Sequence, residues 1–361
     1  MFNDYFREKR VFITGHTGFK GAWLSWWLLQ LGATVKGYAF APYTQDDLFV
    51  VTTLEKHLQS TIADIRDADF LSREISDFQP DIVIHMAAQP LVRLSYEYPR
   101  LTYETNVMGT LNVLEAVRKC DSVRLFLNVT TDKCYENSSK REGYTETDPL
   151  GGFDPYSSSK ACSELLTSAY RRSYFQNGTL ILSARAGNVI GGGDWCKDRI
   201  VPDSIRSLIK QEPIVVRSPK AVRPWQHVLE PLSGYLNVIA ESDADRGIIA
   251  GSWNFGPDPT DTLTVAQLVD QLILSWGSGE WRDGSDPSQP HEAAYLTLNC
   301  DKAKQYLKWS PVFSQVDSVD FTVQWYKAWH QNALSAKTAT LHQIEYFCTL
   351  AKKLGHEWSQ E

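Results

Sequence analysis

Two side chains of one short run could act together on a hydroxyl group. Tyr156 and Lys160 stand at positions i and i+4 of Tyr156-Ser157-Ser158-Ser159-Lys160. In a helix these positions share a face, so the phenol and the ammonium can converge on one ligand. A neighbouring cation favours phenolate and is expected to lower the pKa of the tyrosine, which would make it a general base for an alcohol. The same spacing in Tyr5 and Lys9, before the first predicted strand, is interpreted as structural.

A glycine-rich run, Gly15-His16-Thr17-Gly18-Phe19-Lys20-Gly21, follows the first apolar segment. Glycines at this spacing let the chain turn tightly, approach a pyrophosphate and pack the next helix on the strand, which predicts a dinucleotide site. About twenty residues later Tyr38-Ala39-Phe40 offers no acid for the ribose hydroxyls and no arginine for a 2′-phosphate. His16 also places a bulky ring in the loop. We therefore expect NAD to bind less tightly than usual, and NADP stays open.

The elements around these residues alternate between short apolar strands and amphipathic helices over residues 1–185. Predicted helices include Leu101–Lys119 and Pro155–Phe175, and the predicted strands are Val11–Thr14, Thr34–Tyr38, Ser60–Ile62, Ile82–His85, Leu125–Val129 and Leu180–Ala184. Continuous apolar strands separated by helices indicate a parallel sheet covered on both faces. The predicted fold class is therefore α/β, with a doubly wound, Rossmann-type parallel sheet.

Beyond residue 186 the regular alternation of strands and helices gives way to short loops and short elements. This change predicts a smaller mixed α/β lobe. We assign residues 1–185 to an NAD-binding domain, to which 228–252 return, and residues 186–227 and 253–361 to a substrate-binding lobe. Val228–Ser242 and Gly251–Phe255 are the returning segments. Ala333–Leu354 is predicted as a C-terminal helix and a candidate oligomer contact.

Composition narrows the class of protein. The 361 residues carry a net charge of −7 and show no Lys/Arg-rich run, which argues against nucleic-acid binding. No apolar run is long enough to cross a membrane, and the first ten residues do not resemble a secretory signal, so we expect a cytoplasmic enzyme. The six cysteines lack metal-ligand spacing, and we expect reduced thiols and no metal site.

The glycine run, Thr131, Tyr156 and Lys160 together resemble the extended short-chain dehydrogenase/reductase family, over essentially the whole chain. This resemblance implies NAD as the cofactor. It places Asp64 and Ile65 at the adenine, and Asn106 as the central-helix asparagine. The remaining residues that it implies for the cofactor, besides Tyr156 and Lys160, are Gly15, His16, Thr17, Gly18, Phe19, Gly21, Ala87, Ala88 and Gln89.

The residues after Thr131 separate branches of that family. Hexose 4,6-dehydratases acting on dTDP-glucose carry Thr-Asp-Glu there, and those acting on GDP-mannose carry an acidic variant. Thr131-Asp132-Lys133 departs from both and resembles the CDP-glucose branch, as do the glycine run and Arg223-Pro224-Trp225-Gln226-His227-Val228. The resemblance implies that Tyr156 takes the proton of the carbon-4 hydroxyl and that Asp132 protonates the carbon-6 hydroxyl. Lys133 is either the base at carbon 5, the role we favour, or a cation that stabilises the enolate.

Substrate contacts are expected from the second lobe. By resemblance Asn188 faces a phosphate and His291 approaches the nucleotide. Arg199, Arg217 and Arg223 are candidates for the diphosphate, because guanidinium groups pair well with phosphate oxygens. A surface ion pair is the alternative interpretation for each. The substrate is expected to be a nucleotide sugar, with CDP-glucose named by resemblance alone, and relatives suggest a homodimer or higher homo-oligomer.

Three other functions stay open. The chain could be a dTDP- or GDP-sugar 4,6-dehydratase or a UDP-sugar 4-epimerase, but Asp132 disfavours the epimerase and Lys133 the other dehydratases. It could be a non-catalytic protein that senses a dinucleotide, which has no need of Thr131, Tyr156 and Lys160 together. A dehydrogenase with net redox chemistry would consume NAD stoichiometrically, whereas a dehydratase regenerates it.

Overall fold

A computed structural model of the chain describes residues 1–175, 178–243, 250–258, 261–285 and 296–360. The strands are β1 (Arg10–Thr14), β2 (Thr34–Ala39), β3 (Gln59–Ile62), β4 (Ile82–His85), β5 (Leu125–Val129), β6 (Leu180–Ala186), β7 (Val189–Ile190), β8 (Ile214–Val216), β9 (Val222–Arg223), β10 (Gln226–His227), β11 (Gly251–Phe255), β12 (Leu263–Thr264) and β13 (Trp281–Asp283).

The α-helices are α1 (Phe19–Gln30), α2 (Leu48–Val51), α3 (Ala68–Phe78), α4 (Val92–Glu97), α5 (Pro99–Tyr103), α6 (Gly109–Arg118), α7 (Pro155–Ser173), α8 (Ile200–Lys210), α9 (Leu229–Asp243), α10 (Val265–Trp276), α11 (Asp301–Leu307), α12 (Gln315–Gln331) and α13 (Ser335–Leu354). A π-helical turn, Glu104–Met108, joins α5 to α6, and short 3₁₀ turns lie at Phe2–Asp4, Leu54–Lys56, Asp132–Cys134 and Glu357–Ser359.

Seven strands form the central sheet in the order β11-β6-β5-β4-β1-β2-β3, and every neighbouring pair is parallel. All six predicted strands are confirmed. β4 and β5 have their predicted bounds, and the other four extend one or two residues beyond them. The chain leaves β1 toward β2 on one side and later continues with β4 on the other. A ligand site is expected at the carboxyl ends of the strands where the order reverses in this way.

The central strands of this sheet are buried on both faces, which explains why β1, β4 and β5 are largely apolar. Val11 and Ile13 of β1 enter one hydrophobic cluster, whereas Phe12 between them enters a second cluster on the opposite face. Successive side chains of a strand point to opposite faces, so a central strand needs apolar residues on both faces to fill both clusters. The doubly wound, Rossmann-type prediction is confirmed.

Two predicted helices differ from the observed ones in ways that concern the site. The predicted helix Leu101–Lys119 is a run of α5, the π-turn and α6, and the π-turn contains Asn106. Single π-turns within helices are frequent at functional sites. The other helix, α7, begins at Pro155 as predicted and ends at Ser173. Its first turn is capped by the Asp154 carboxylate, which accepts a hydrogen bond from the Ser157 N–H at 2.9 Å.

The C-terminal part of the chain packs back on the first helix. The Trp27 ring of α1 meets the Phe347 ring of α13 edge to face, with centroids 5.8 Å apart, and Trp358 stacks on Phe2 at 5.1 Å. Part of α13 is therefore covered within the chain. β11 joins the edge of the central sheet beside β6. The division into two domains stays a prediction. Within the described ranges, no helix has both the length and the apolar character needed to cross a membrane.

Candidate active site

The glycine run forms a tight turn between β1 and α1. Gly15 has φ +83°, and a Cβ there would lie 2.8 Å from the Ala87 nitrogen. A Cβ on Gly21 would lie 2.1 Å from the Gly15 carbonyl oxygen, so only glycine lets the helix approach the turn. Gly18 is exposed and caps α1, and a Cβ there would meet only the Gly15 carbonyl oxygen, at 3.4 Å. The open helix N-terminus at Gly18 therefore fits a pyrophosphate.

Three other residues of the run have contacts of their own. The Thr17 hydroxyl donates to the Phe40 carbonyl at 2.8 Å, and Phe19 lies against Gly191. The His16 ring is fully buried and turned toward Gly37 of β2, where a Cβ would lie 2.1 Å from it. Its Nε2 is 2.7 Å from the Ser60 hydroxyl. The expectation that this ring takes space from the pyrophosphate is wrong, because the missing side chain of Gly37 gives the ring a place inside the protein.

The residues predicted to face the adenine lie at the end of β3. The Asp64 carboxylate pairs with Arg66 at 2.6 Å, and Arg66 also reaches Glu104 at 3.3 Å. Burial alone would raise the pKa of Asp64, but the Arg66 guanidinium outweighs it and holds that pKa below its ordinary value. Ile65 is buried against Gly109. The adenine role of these residues stays a prediction.

A hydrogen-bond network fixes the turn Ala87-Ala88-Gln89 at the end of β4. The Asn106 side chain accepts from the Gln89 N–H at 2.8 Å and donates to the Gln89 carbonyl at 3.1 Å. It also donates to the Ser159 hydroxyl of α7 at 2.8 Å. Asn106 is buried, so its amide acts by connecting this turn to α7. Ala87 and Ala88 are half-buried and line the edge of the turn.

Tyr156 and Lys160 are both buried on α7, at the carboxyl end of β5. The Lys160 ammonium donates to the Val129 carbonyl at 3.2 Å. Burial lowers the pKa of Lys160 to about 8. The Thr131 hydroxyl and the Arg199 guanidinium lie close enough to the Tyr156 phenol to favour its charged form.

The expected lowering of the tyrosine pKa by Lys160 is wrong for this structure. Burial raises the pKa of Tyr156 to about 12, and it outweighs the opposing effects of Thr131 and Arg199. Lys160 is directed to the Val129 carbonyl, and its charge has no resolved effect on the phenol. The protein therefore holds a neutral phenol until a further positive charge beside it favours phenolate.

Thr131, Asp132 and Lys133 form a turn directly beside the phenol. The Thr131 hydroxyl donates to Asp132 Oδ1 at 3.0 Å. Asp132 is fully buried, and its Oδ2 has no hydrogen-bond partner in the described part of the chain. The Lys133 ammonium is 3.6 Å from Asp132 Oδ1, and about a third of the lysine side chain is exposed. Asp132 is therefore not part of an exposed turn, and its free oxygen needs a polar partner.

Two residues that the sequence analysis did not select belong to the same region. The Lys20 ammonium, in the first turn of α1, donates to the Tyr235 hydroxyl of α9 at 2.9 Å. Lys20 interacts electrostatically with Lys160, Arg199 and Asp132. One signal was available, because Lys20 is the only charged residue in the otherwise apolar helix that follows the glycines.

Two of the predicted substrate residues lie beside this centre. The Asn188 side-chain oxygen is 3.5 Å from the Lys133 ammonium. Arg199 pairs with Asp194 at 2.8 Å and faces Tyr156 closely enough to influence its charge. Arg199 therefore presents a positive charge to the reacting groups, while Asp194 fixes its position.

The remaining substrate candidates differ in position. Arg223 is buried, and Pro224 after it reaches Gly187, where a Cβ would also lie 3.1 Å from Asp132 Oδ2. The segment that contains Arg223 therefore lies near Asp132, at the end of the site that we call the acidic end. Arg217 pairs with Asp198 at 2.9 Å, and the structure shows no contact between it and the catalytic candidates. His291 lies outside the described residues.

A buried ion pair fixes α7 against the central sheet next to the site. Glu164 of α7 pairs with Arg185 of β6 at 2.9 Å, and both side chains are almost fully buried. The Glu164 carboxylate also accepts from the Thr130 hydroxyl at 2.5 Å. These bonds hold α7 against the strand ends that precede Thr131 and Asn188.

The side chains brought together here can deprotonate an alcohol and protonate a leaving group. The Tyr156 phenol and the cations Lys20 and Arg199 lie close enough to the Asp132 carboxylate or to one another to interact electrostatically. The open Gly18 N-terminus, the fixed turn Ala87–Gln89 and the Tyr156–Lys160 face fit a dinucleotide that extends from its pyrophosphate to a nicotinamide.

Comparison with known proteins identifies relatives of this arrangement. Residues 12–320 match the family model described as GDP-mannose 4,6 dehydratase. The CDP-glucose 4,6-dehydratase of Salmonella typhimurium is 48% identical over 334 residues, which cover 90% of this chain and 92% of the relative. A dTDP-glucose 4,6-dehydratase of Xanthomonas campestris is 30% identical over 297 residues, or 75% of this chain and 80% of the relative.

Solved structures share the fold. The dTDP-glucose 4,6-dehydratase of Streptomyces venezuelae, solved with NAD bound, has a TM-score of 0.76 and 25% identity, and the match covers 90% of this chain and 97% of that one. The UDP-glucose 4-epimerase of Thermotoga maritima, solved with UDP-glucose, has a TM-score of 0.76 at 22% identity over 88% of this chain and 98% of that one. At that identity the likeness to the epimerase concerns the fold alone.

Proposed function

The chain belongs to the GDP-mannose 4,6-dehydratase family, and we propose that it is an NAD-dependent CDP-glucose 4,6-dehydratase, a hydro-lyase that forms CDP-4-keto-6-deoxyglucose. The observation that carries this proposal is the placement of Asp132 beside Tyr156, with a buried carboxyl oxygen that has no hydrogen-bond partner among the described residues. A 4-epimerase needs the phenol but no acid for a leaving hydroxyl. The 48% identity to a CDP-glucose 4,6-dehydratase supports the choice of nucleotide.

The cofactor site combines the glycine turn, the Ala87–Gln89 turn and the Tyr156–Lys160 face. NAD, when bound there, accepts the hydride of carbon 4, returns it to carbon 6, and brings a positively charged ring that favours phenolate. Tyr156 receives the proton of the carbon-4 hydroxyl. The Arg199 guanidinium lies close enough to the phenol to favour its charged form, and the burial of Tyr156 excludes water from the proton transfer.

Asp132 and Lys133 serve the loss of water. With a ketone at carbon 4, the carbon-5 hydrogen becomes acidic, and Asp132 protonates the departing carbon-6 hydroxyl. If Lys133 is the carbon-5 base, the productive form has a neutral lysine beside a protonated aspartate. This form is a tautomer of the ion pair seen at 3.6 Å.

The proton balance of the cycle gives Thr131 a task. Each turnover leaves the carbon-4 hydroxyl proton on Tyr156 and removes one proton from Asp132. The Thr131 hydroxyl contacts the phenol and donates to Asp132 Oδ1 at 3.0 Å. A proton can therefore pass from Tyr156 through Thr131 to Asp132, which returns both groups to their starting state.

The substrate diphosphate is proposed to meet Arg199, Arg223 and Asn188, which surround the acidic end of the site. The ion pair of Arg217 with Asp198 gives it no contact there, and its part in binding stays a prediction. The test is a panel of CDP-, dTDP-, GDP- and UDP-hexoses with added NAD, followed by mass spectrometry. CDP-glucose is expected to lose one water without net reduction of NAD. Epimerisation without water loss, or preference for another nucleotide, would contradict the proposal.

The role of Lys133 has its own experiment. Lys133→Met is expected to stop exchange of the carbon-5 hydrogen with deuterated solvent and to spare oxidation at carbon 4. Lys133→Arg keeps the cation and separates the two roles, because a guanidinium stabilises an enolate but does not act as a base. Exchange in the arginine variant at the wild-type rate would exclude the base role.

We also propose a homodimer formed through the α5–α6 run and α7. These helices pack side by side, and Tyr103 donates to the Ser158 hydroxyl across them at 3.2 Å. Tyr103, Met108 and Leu165 leave 37%, 48% and 57% of their surface exposed on this side. Replacing Met108 and Leu165 by glutamate should yield a monomer in sedimentation analysis. Cytoplasmic localisation stays a prediction.

A further inference from the structure

We propose that Tyr135 is a positioning residue for the loss of water, because its phenol fixes the turn that carries Asp132 relative to the end of β6 that faces this acid. The inference rests on the proposed function, in which Asp132 protonates the carbon-6 hydroxyl. The Tyr135 hydroxyl is bonded to protein groups as both acceptor and donor, so it acts on the reaction through Asp132.

The backbone of Tyr135 ends the turn that carries the acid. Its N–H donates to the Asp132 carbonyl at 3.4 Å, which closes the 3₁₀ turn Asp132–Cys134. The Tyr135 ring is buried and stacks on the Tyr144 ring, with centroids 5.1 Å apart. A displacement of the Tyr135 ring would therefore be transmitted to the turn and to the acid within it.

The hydroxyl of Tyr135 binds the two strands that follow β5 in the sheet. It accepts a hydrogen bond from Arg185 Nη1 of β6 at 2.7 Å and donates to Asn254 Oδ1 of β11 at 2.8 Å. Arg185 and Asn254 are partners in the parallel register of these strands, and Arg185 is also held by the buried ion pair with Glu164. The phenol is thus fixed to positions that the sheet itself makes rigid.

The end of β6 comes close to the free oxygen of the acid. Two residues after Arg185, a Cβ on Gly187 would lie 3.1 Å from Asp132 Oδ2 and 2.9 Å from Pro224 Cγ. Among the described residues this Oδ2 has no hydrogen-bond partner, which leaves it free for the carbon-6 hydroxyl. The Tyr135–Arg185 bond spans the same gap as this contact, because it joins the residue three after the acid to the residue two before the glycine. It therefore sets how closely Oδ2 approaches the Gly187 backbone.

The test removes one hydroxyl from each of two stacked, buried tyrosines. Tyr135→Phe keeps the ring and loses both bonds to the strands. Tyr144→Phe is the matched control, because the Tyr144 hydroxyl accepts from the Ser138 N–H at 2.7 Å and donates to Asn137 Oδ1 at 3.0 Å. In the described part of the chain that hydroxyl has no bond to β6 or β11. Both variants should lower the midpoint of denaturant unfolding by a similar amount, since each loses buried hydrogen bonds.

The two variants should differ in how they process CDP-glucose with added NAD. A displacement of about 1 Å at a reacting group costs on the order of 10²-fold, so Tyr135→Phe should release water roughly 10- to 100-fold more slowly than the wild type. Oxidation at carbon 4 should keep its rate. Reduced nicotinamide and a 4-keto sugar that retains its carbon-6 oxygen should therefore accumulate, as seen by absorbance and mass spectrometry. In Tyr144→Phe neither species should accumulate beyond the wild-type level.

Two results with Tyr135→Phe would overturn the proposal. One is release of water at the rate of Tyr144→Phe, and the other is equal slowing of oxidation and water loss, which would mean that the phenol supports the whole centre. If circular dichroism shows that Tyr135→Phe does not fold, Gly187→Ala decides, because its Cβ presses on Asp132 Oδ2 from the opposite side. It should accumulate the same two species, and their absence would also overturn the proposal.

The wild type separates this inference from the proposed function. If the wild type releases no water from CDP-glucose, the proposed function fails and the role of Tyr135 fails with it. If the wild type releases water and the variants do not show the expected difference, the failure concerns Tyr135 alone.

Discussion

Replacing Asp132 by asparagine should separate the two halves of the proposed reaction. Asparagine keeps the shape of the side chain and an oxygen that can accept a hydrogen bond from the Thr131 hydroxyl. In the wild type this hydroxyl donates to Asp132 Oδ1 at 3.0 Å. It cannot give a proton to the departing carbon-6 hydroxyl. Oxidation at carbon 4 depends on Tyr156 and should continue, whereas loss of water should stop.

The size of the effect follows from the role of the group. Loss of a general acid costs about 10²- to 10⁴-fold in turnover, which is about 3–5 kcal/mol in the barrier. The fold should be little affected, because the contact of Asp132 with the partly exposed Lys133 contributes at most about 1 kcal/mol. Asp132 Oδ2 has no partner to lose among the described residues.

The assay follows both products of the first half-reaction. Absorbance should show reduced nicotinamide accumulating to one equivalent per site, and mass spectrometry should find a 4-keto sugar that keeps its carbon-6 oxygen. Asp121→Asn, an exposed carboxyl before β5, is the matched control and should behave as wild type. Dehydration by Asp132→Asn at the wild-type rate, or a variant as unable to reduce NAD as Tyr156→Phe, would refute the assigned role.

Four further changes have defined outcomes. Gly18→Ala should fold, since its Cβ meets only the Gly15 carbonyl oxygen at 3.4 Å, but should weaken NAD affinity at least about tenfold in calorimetry because a methyl group enters the helix N-terminus. Glu164→Ala leaves Arg185 buried without its partner and should lower the free energy of unfolding by about 3–5 kcal/mol in denaturant titration. Burial raises the pKa of Glu230 to about 8, so the folded protein holds a proton that the unfolded chain releases at lower pH. The stability of the wild type relative to that of Glu230→Gln should therefore fall by a few kcal/mol between about pH 5 and about pH 8, since other groups that titrate in this range affect both proteins alike. Arg223→Ala should raise the KM for CDP-glucose more than it lowers kcat, and an unchanged KM would exclude contact with the diphosphate.

The parts of the site that were predictable are local in sequence. The glycine turn, the Tyr156–Lys160 face and the Thr131–Lys133 turn each need only a few neighbouring residues and a strand or helix boundary. The central strands were predictable for a similar reason, because β1, β4 and β5 are buried on both faces and largely apolar. Local pattern and observed structure therefore agree at these positions.

The unpredicted features depend on residues far apart in the chain. The Lys20–Tyr235 bond joins residues 215 positions apart, and no local pattern shows that α1 and α9 meet there. The direction of His16 depends on Gly37 of the adjacent strand, although an isolated glycine within a strand was a usable sign of close approach. The pKa of Tyr156 was predicted in the wrong direction because spacing does not measure burial, and burial is the largest influence on that phenol.

Helix α7 explains how such scattered groups reach one geometry. Ser159 accepts a hydrogen bond from Asn106, which holds the turn after β4, and Lys160 donates to the last carbonyl of β5. One turn later Glu164 binds Arg185 of β6. Three successive parallel strands are thus bound by one face of a single helix, whose second residue is Tyr156. A shift of α7 by one residue would break all three contacts at once, so the register of the helix fixes the phenol relative to the strand ends. Because the Thr131–Asp132 turn and the Ala87–Gln89 turn lie at those same ends, one set of bonds positions the proposed acid, the proposed base and the proposed nicotinamide site.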